Sequence, residues 1–266
     1  IIIMKIMNSY IRLGLIIVMF NASLPGMSSG QNPTGPSTDL AAAEQAIHDL
    51  ISRSIVSFQS IRQVKEQFGS TGADALVKLF KNTFNNTQRS FLMIMLRYFE
   101  DQGRHQFPFV FNYLLEQEGK EMMEDEFITF LNAFDTAAFL DPEEPAYFDY
   151  LTHAIDRNYW TENNTPKVLT FDYGQMKIVY MDNVRIKTRI RKHVANAFSI
   201  IGDEHSLRIL EHWAELEEES GDKQFAWVLS GTVSYIRDYG EIRTLILEKD
   251  YLMGPFSKAA HSAKYN

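Results

Sequence analysis

Seven histidines and no cysteine set the metal and nucleophile chemistry open to this chain of 266 residues. The histidines are His48, His105, His153, His193, His205, His212 and His261, and catalysis or metal binding needs two or more of them to converge with a carboxylate. Only one group approaches that arrangement. His205 and His212 lie seven residues apart in a helical stretch beside Glu204, Glu211 and Glu215, so His205, Arg208, His212 and Glu215 share a face. A metal site wants His and Glu at three- or four-residue steps, and His212-x-x-Glu215 supplies one such pair; His-Glu-x-x-His is absent. A solvated helix face is the simpler reading, with His205, His212 and Glu215 kept as metal candidates. The lack of cysteine excludes disulfide frameworks, thiolate nucleophiles and Cys-ligated zinc. Gly-x-Ser-x-Gly, Ser-x-x-Lys and the Walker-type Gly-x-x-x-x-Gly-Lys are also missing, so the sequence assigns no catalytic residue and no cofactor.

Three other constellations carry weaker signals. Carboxylates gather at Glu116, Glu118, Glu121, Glu124, Asp125 and Glu126 and again at Glu215, Glu217, Glu218 and Glu219, without the Asp-x-Asp-x-Asp-Gly spacing of a calcium loop, which reads as solvated helix faces. Aromatic residues make up 13% of the chain, and most of them should fill a helical core. Tyr159, Trp160, Trp213 and Trp227 are the candidates for an aromatic binding surface, because Tyr and Trp are favoured where proteins recognise partners. Basic residues concentrate at Arg185, Lys187, Arg189, Arg191, Lys192 and His193, either a helix offset by an acidic neighbour or a surface for an acidic partner. The formal charge is −8, which disfavours a phosphate-tracking surface and sets nucleic acid aside as a partner.

The elements that must position these groups are mostly helical. Lys5 and Arg12 precede the apolar stretch Leu13 to Phe20, and Pro25, Gly26, Ser28, Ser29 and Gly30 break it, the pattern of a signal peptide over residues 1–30. That stretch is far short of the roughly 20 residues a membrane helix needs, so the expectation is export to the periplasm or beyond, with no stable membrane span. Residues 31–38 read as a flexible linker, 39–250 as one helical domain and 251–266 as a frayed tail. Apolar residues at three- and four-residue steps from Ile47 to Phe68 predict a long amphipathic helix closed by Gly69. Thr87 is placed to cap an apolar helix over 91–99, and a helix is expected over 121–139. Asp141-Pro142-Glu143-Glu144 predicts a capped helix from Pro142 to about Tyr159. Residues 167–182 are the least determined: short helical turns are preferred because the surroundings are helical, and a β-hairpin around Gly174-Gln175 is the rival.

The last third contains a repeat. Residues 194–203, Val-Ala-Asn-Ala-Phe-Ser-Ile-Ile-Gly-Asp, match 229–238, Leu-Ser-Gly-Thr-Val-Ser-Tyr-Ile-Arg-Asp, by character after 35 residues, with a helix over Glu204 to Leu216 between them. Over residues 184–240 the pattern resembles HEAT-like helical repeats, in which a small residue allows close packing and a Gly-Asp turn caps the next helix. The second copy lacks the glycine, with Arg237 in its place and Gly240 three residues late. The resemblance implies a mainly all-α fold, an α-solenoid-like stack of antiparallel helix pairs, and a surface that binds rather than transforms. The expected function is therefore an exported, non-enzymatic protein-binding or scaffold module of the cell envelope with a protein partner. The alternatives are an exported metal-dependent hydrolase and an aromatic-lined carbohydrate- or peptide-binding module.

Overall fold

A computed structural model describes residues 38–52 and 58–239; the signal-like segment, nearly all of the linker and the tail lie outside the described residues. Helix α1 (Leu40–Ile51) is capped by Asp39, whose carboxylate accepts from the Ala42 amide. The span α2 (Phe58–Asn82) is two helical stretches meeting at a kink at Gly69, whose non-helical backbone (φ 52°, ψ −132°) ends the first stretch as expected, with the second following at once. Asn85, not Thr87, caps α3 (Asn86–Leu96) by accepting from the Gln88 amide. Short helical turns at Arg97–Phe99, Glu100–Gly103 and Arg104–Gln106 lead into α4 (Phe107–Gln117), which carries Pro108 in its first turn, where a missing amide hydrogen is harmless.

The helix expected over 121–139 gives up its start to a strand. Residues Glu121–Met123 form β1, and α5 runs from Glu124 to Leu140. Helix α5 is the centre of the molecule: 12 of its 17 residues are buried, and it packs against α3, α4 and α7 (Asn183–Ile201). The next helix, α6, spans Pro145–Ala154, three residues later than Asp141-Pro142 suggested. Asp141 does not act as its cap: both carboxylate oxygens accept from Arg104 (2.9 and 2.7 Å), which turns the side chain to that partner, and Glu144 before the second proline is the cap. Helix α6 stops at Ala154 rather than near Tyr159, because the Trp160 indole folds back and donates to the Ala154 carbonyl (2.8 Å).

Residues 167–182 form the hairpin and not the helical turns. Strands β2 (Lys167–Asp172) and β3 (Lys177–Tyr180) pair antiparallel, and β1 adds in parallel on the other side of β2, giving a three-stranded sheet in the order β1-β2-β3. The turn differs from the two-residue form expected around Gly174-Gln175. It has four residues, Tyr173 to Met176, between the paired Asp172 and Lys177, and the left-handed residue is Met176 (φ 52°). The Asp172 carboxylate holds it by accepting from the amides of Gly174 (2.8 Å) and Gln175 (3.3 Å).

Helices α7, α8 (Glu204–Ser220) and α9 (Lys223–Tyr239) follow and contact one another. Gly202 takes the left-handed conformation (φ 68°) that ends α7, and Asp203 accepts from the Ser206 amide (2.7 Å) to start α8. Gly221-Asp222 repeats the device 19 residues on, with Asp222 accepting from the Phe225 amide. The fold is thus mainly α-helical with one small sheet.

Candidate functional site: the outer face of the sheet

The helix geometry keeps the metal candidates apart. His205 and His212 sit two turns from each other on α8, about 10 Å along its axis, and both are exposed, as is Glu215. His205 lies against the Phe148 ring (centroids 4.5 Å apart) and His212 beside Trp213. Among the described residues no group of three His, Asp or Glu could hold a metal ion.

The four aromatic candidates do not make one surface. Trp160 is buried and satisfied by its bond to Ala154, which corrects its place among surface residues. Tyr159 is half-buried; its hydroxyl donates to Glu118 Oε1 (2.8 Å), and the Tyr150 hydroxyl donates to the same oxygen (2.9 Å). Burial first, and the bond to Glu118 second, push the Tyr159 phenol above its ordinary value. Trp213 is half-buried on α8, and Trp227 stands exposed on α9.

Most carboxylates of the two acidic clusters are exposed, as a solvated face predicts, but a few act as clamps. Glu124 accepts from Thr170 of β2 and pairs with Arg189 of α7 (3.2 Å), tying the sheet to the helices, while Glu121 of β1 accepts from the Tyr180 hydroxyl of β3 (2.6 Å), a bond within the sheet. Arg191 is buried; it donates to Glu217 (2.5 Å) and to the Ile155 carbonyl (2.6 Å) and lies over the Phe225 ring (3.9 Å). The neighbouring acidic helix therefore neutralises part of the basic cluster, as one of the two readings held. In the middle of α5, Asp135 accepts from Asn196 (2.8 Å) and lies 3.2 Å from the Arg97 guanidinium and 3.4 Å from His193 Nδ1. Burial pushes the Asp135 carboxyl up, but Arg97 and His193 outweigh it and hold the group below its ordinary value. Arg97 also donates to Asn132 and Thr136, so the cluster joins α5 to the turn after α3, and it leaves His193 Nδ1 and Asn196 Oδ1 buried without a hydrogen-bond partner among the described residues.

One face of the sheet has no such explanation for most of its side chains. Strand alternation puts Met122 and Val168 on the inner face, where both are buried against the helices. The outer face carries the cross-strand row Met123, Leu169 and Tyr180, then the pair Phe171 and Ile178, then Tyr173 beyond the strand end. Six apolar side chains of this region are open to solvent: Tyr173 81%, Met176 72%, Tyr180 62%, Ile178 56%, Phe171 39% and Met123 39% exposed. Phe171 and Tyr173 meet edge to face at 4.9 Å. Folding gains nothing from leaving such residues in water, and contiguous apolar patches on proteins mark contact sites. The signal missed in the sequence is that Val168 to Tyr173 and Ile178 to Tyr180 are apolar or uncharged at nearly every position, where a strand with one wet face would alternate apolar with polar.

No protein-family model, curated protein or solved structure matches this chain.

Proposed function

We propose that the protein is an exported, non-enzymatic docking module of the cell envelope, a scaffold of HEAT-like helix pairs that grips a protein partner through the outer face of its small sheet. The observation that carries this reading is the apolar face itself, six exposed side chains on the sheet and its turn, with the sheet anchored to the helices through Glu124. Burying them against a partner would contribute about 1.5–3 kcal/mol for each large side chain fully covered. The scaffold part rests on the 35-residue sequence repeat and on the two Gly-Asp turns at 202–203 and 221–222 that link α7, α8 and α9. Export rests on the charged, apolar and small-residue order of residues 1–30.

A photo-crosslinking residue in place of Tyr173 tests the docking. It should yield one discrete protein adduct in envelope extract, lost when Phe171→Ser and Ile178→Ser are added. Diffuse, salt-sensitive adducts that survive those substitutions would overturn it. Alkaline phosphatase joined after Thr38 tests the address: activity in cells is expected, and an inactive cytoplasmic fusion would remove export from the reading.

A further inference from the structure

The edge of the sheet adds a requirement that the outer face alone does not. The Met181 amide donates to the Val168 carbonyl (2.7 Å), which sets the phase of the β2-β3 ladder. In an antiparallel pair the bonded positions alternate, so Val179 and Lys177 are the next β3 residues to exchange bonds with β2. Ile178 and Tyr180 therefore point their backbone N–H and C=O groups away from β2. Strand β3 is the last in the sheet, and neither residue's backbone finds a partner among the described residues. The two residues with open backbone groups also have exposed apolar side chains.

Covering these side chains with lipid would strand the amides and carbonyls beside them in a medium that cannot bond them. An extended peptide bonds both and covers the side chains at once. The charges then indicate its composition. From Lys167 to His193 there are seven Lys and Arg against two Asp, an excess of five positive charges in a chain whose total is −8. Arg189 and Arg191 are neutralised by Glu124 and Glu217, while Lys177, Lys187 and Lys192 pair with no described carboxylate. The two Asp of this stretch, Asp172 and Asp182, are engaged as caps of backbone amides.

We propose that β3 takes an extended, acidic segment of a partner protein as a fourth strand of the sheet. This rests on the reading of the sheet as the protein-docking surface and names what docks. On the added strand, alternate side chains lie beside Ile178 and Tyr180 and are apolar. The intervening ones lie on the side of Lys177 and are Asp or Glu.

Selection of a display library of random 12-residue peptides on the immobilised full chain tests this. The enriched peptides should alternate apolar with acidic residues, and their binding should slow hydrogen exchange of the Ile178 and Tyr180 amides. Ile178→Pro removes one outward N–H at a position that tolerates proline and should weaken binding at least about tenfold. Lys177→Glu, a surface change that leaves the fold intact, should weaken it about threefold or more. If Ile178→Pro fails to fold, the exchange of the two amides in the unaltered protein decides. Peptides that need Phe171 and Tyr180 yet leave those amides unprotected overturn strand addition while the docking face stands. Peptides indifferent to Phe171 and Tyr180, or binding only to phosphatidylglycerol vesicles through the same side chains, overturn both.

Discussion

Helix α5 and the β2-β3 hairpin draw on the same kinds of residue, and the molecule treats them in opposite ways. In α5, Phe127, Phe130 and Phe134 are fully covered, and the polar residues among them all have partners: Asp135 in Arg97 and Asn196, Thr136 in the Met93 carbonyl. On the hairpin, Tyr173, Met176, Ile178 and Tyr180 face water, and β3 leaves backbone groups open at its edge. A buried polar group without a partner costs about 1–3 kcal/mol, and no side chain of α5 is among the buried polar groups left without a hydrogen bond. An apolar side chain in water costs the fold little, since it is equally wet when unfolded. Stability thus accounts for the composition of α5 and is silent about that of the hairpin, which is where the proposed docking enters.

The comparison breaks most easily at Asp135. Asp135→Ala leaves Arg97 and Asn196 facing an apolar gap, and loss of one partner of a buried ion pair costs about 3–5 kcal/mol, readable by urea unfolding. The same carboxyl makes α5 acid-sensitive. Its folded value is depressed, so its contribution is present above the ordinary carboxylate range near pH 4 and disappears as pH falls through the depressed value. Unfolding measured from pH 6 to pH 2 should show stability falling over that window, with a shallower fall in Asp135→Asn. The joint between α4 and the sheet comes next. Gly119 has φ +67°, and a Cβ there would lie 2.1 Å from the Asn163 carbonyl oxygen. Gly119→Ala should destabilise by at least about 2 kcal/mol, and a change under 0.5 kcal/mol in a thermal melt would show that the crossing of residues 119 and 163 is looser than the contact implies.

How much of this was legible in the sequence follows the same division. The Gly202-Asp203 turn was readable because a helix end needs a left-handed residue and the next helix needs a carboxylate, both local demands. Asp141 misled for a non-local reason: its local sequence is that of a cap, but Arg104, 37 residues away, claims the carboxylate. Strand β1 could not be read because Glu121 to Met123 are strand only through pairing with Lys167 to Leu169, across more than forty residues. Trp160 looked like a surface residue by type, and only the turn after α6 shows that its indole closes that helix. The exposed apolar face was missed because the hairpin itself was set below helical turns, and the two-residue turn expected at Gly174 hid the four-residue one that Asp172 organises.

Smaller effects sharpen the contrast on the hairpin side. Met176 holds a left-handed backbone that L-residues avoid, so Met176→Gly should relieve strain that slightly exceeds glycine's extra chain entropy. The expected gain is about 0.5–1 kcal/mol in the thermal melt; a loss would mean that the Met176 side chain, although 72% exposed, is held by contacts that matter.

Least of all should change on the outer face. Phe130→Ala in α5 is expected to cost about 3–5 kcal/mol, because it opens a cavity that packed neighbours cannot fill. Tyr173→Ser and Ile178→Ser remove side chains of comparable size that touch mostly water, and each should shift stability by no more than about 0.5 kcal/mol. Urea unfolding of the three variants side by side measures the difference directly. A cost at Ile178 approaching that at Phe130 would mean that the outer face is core under a cover from this same chain, and the division between a region built for stability and a region held open for a partner would fall.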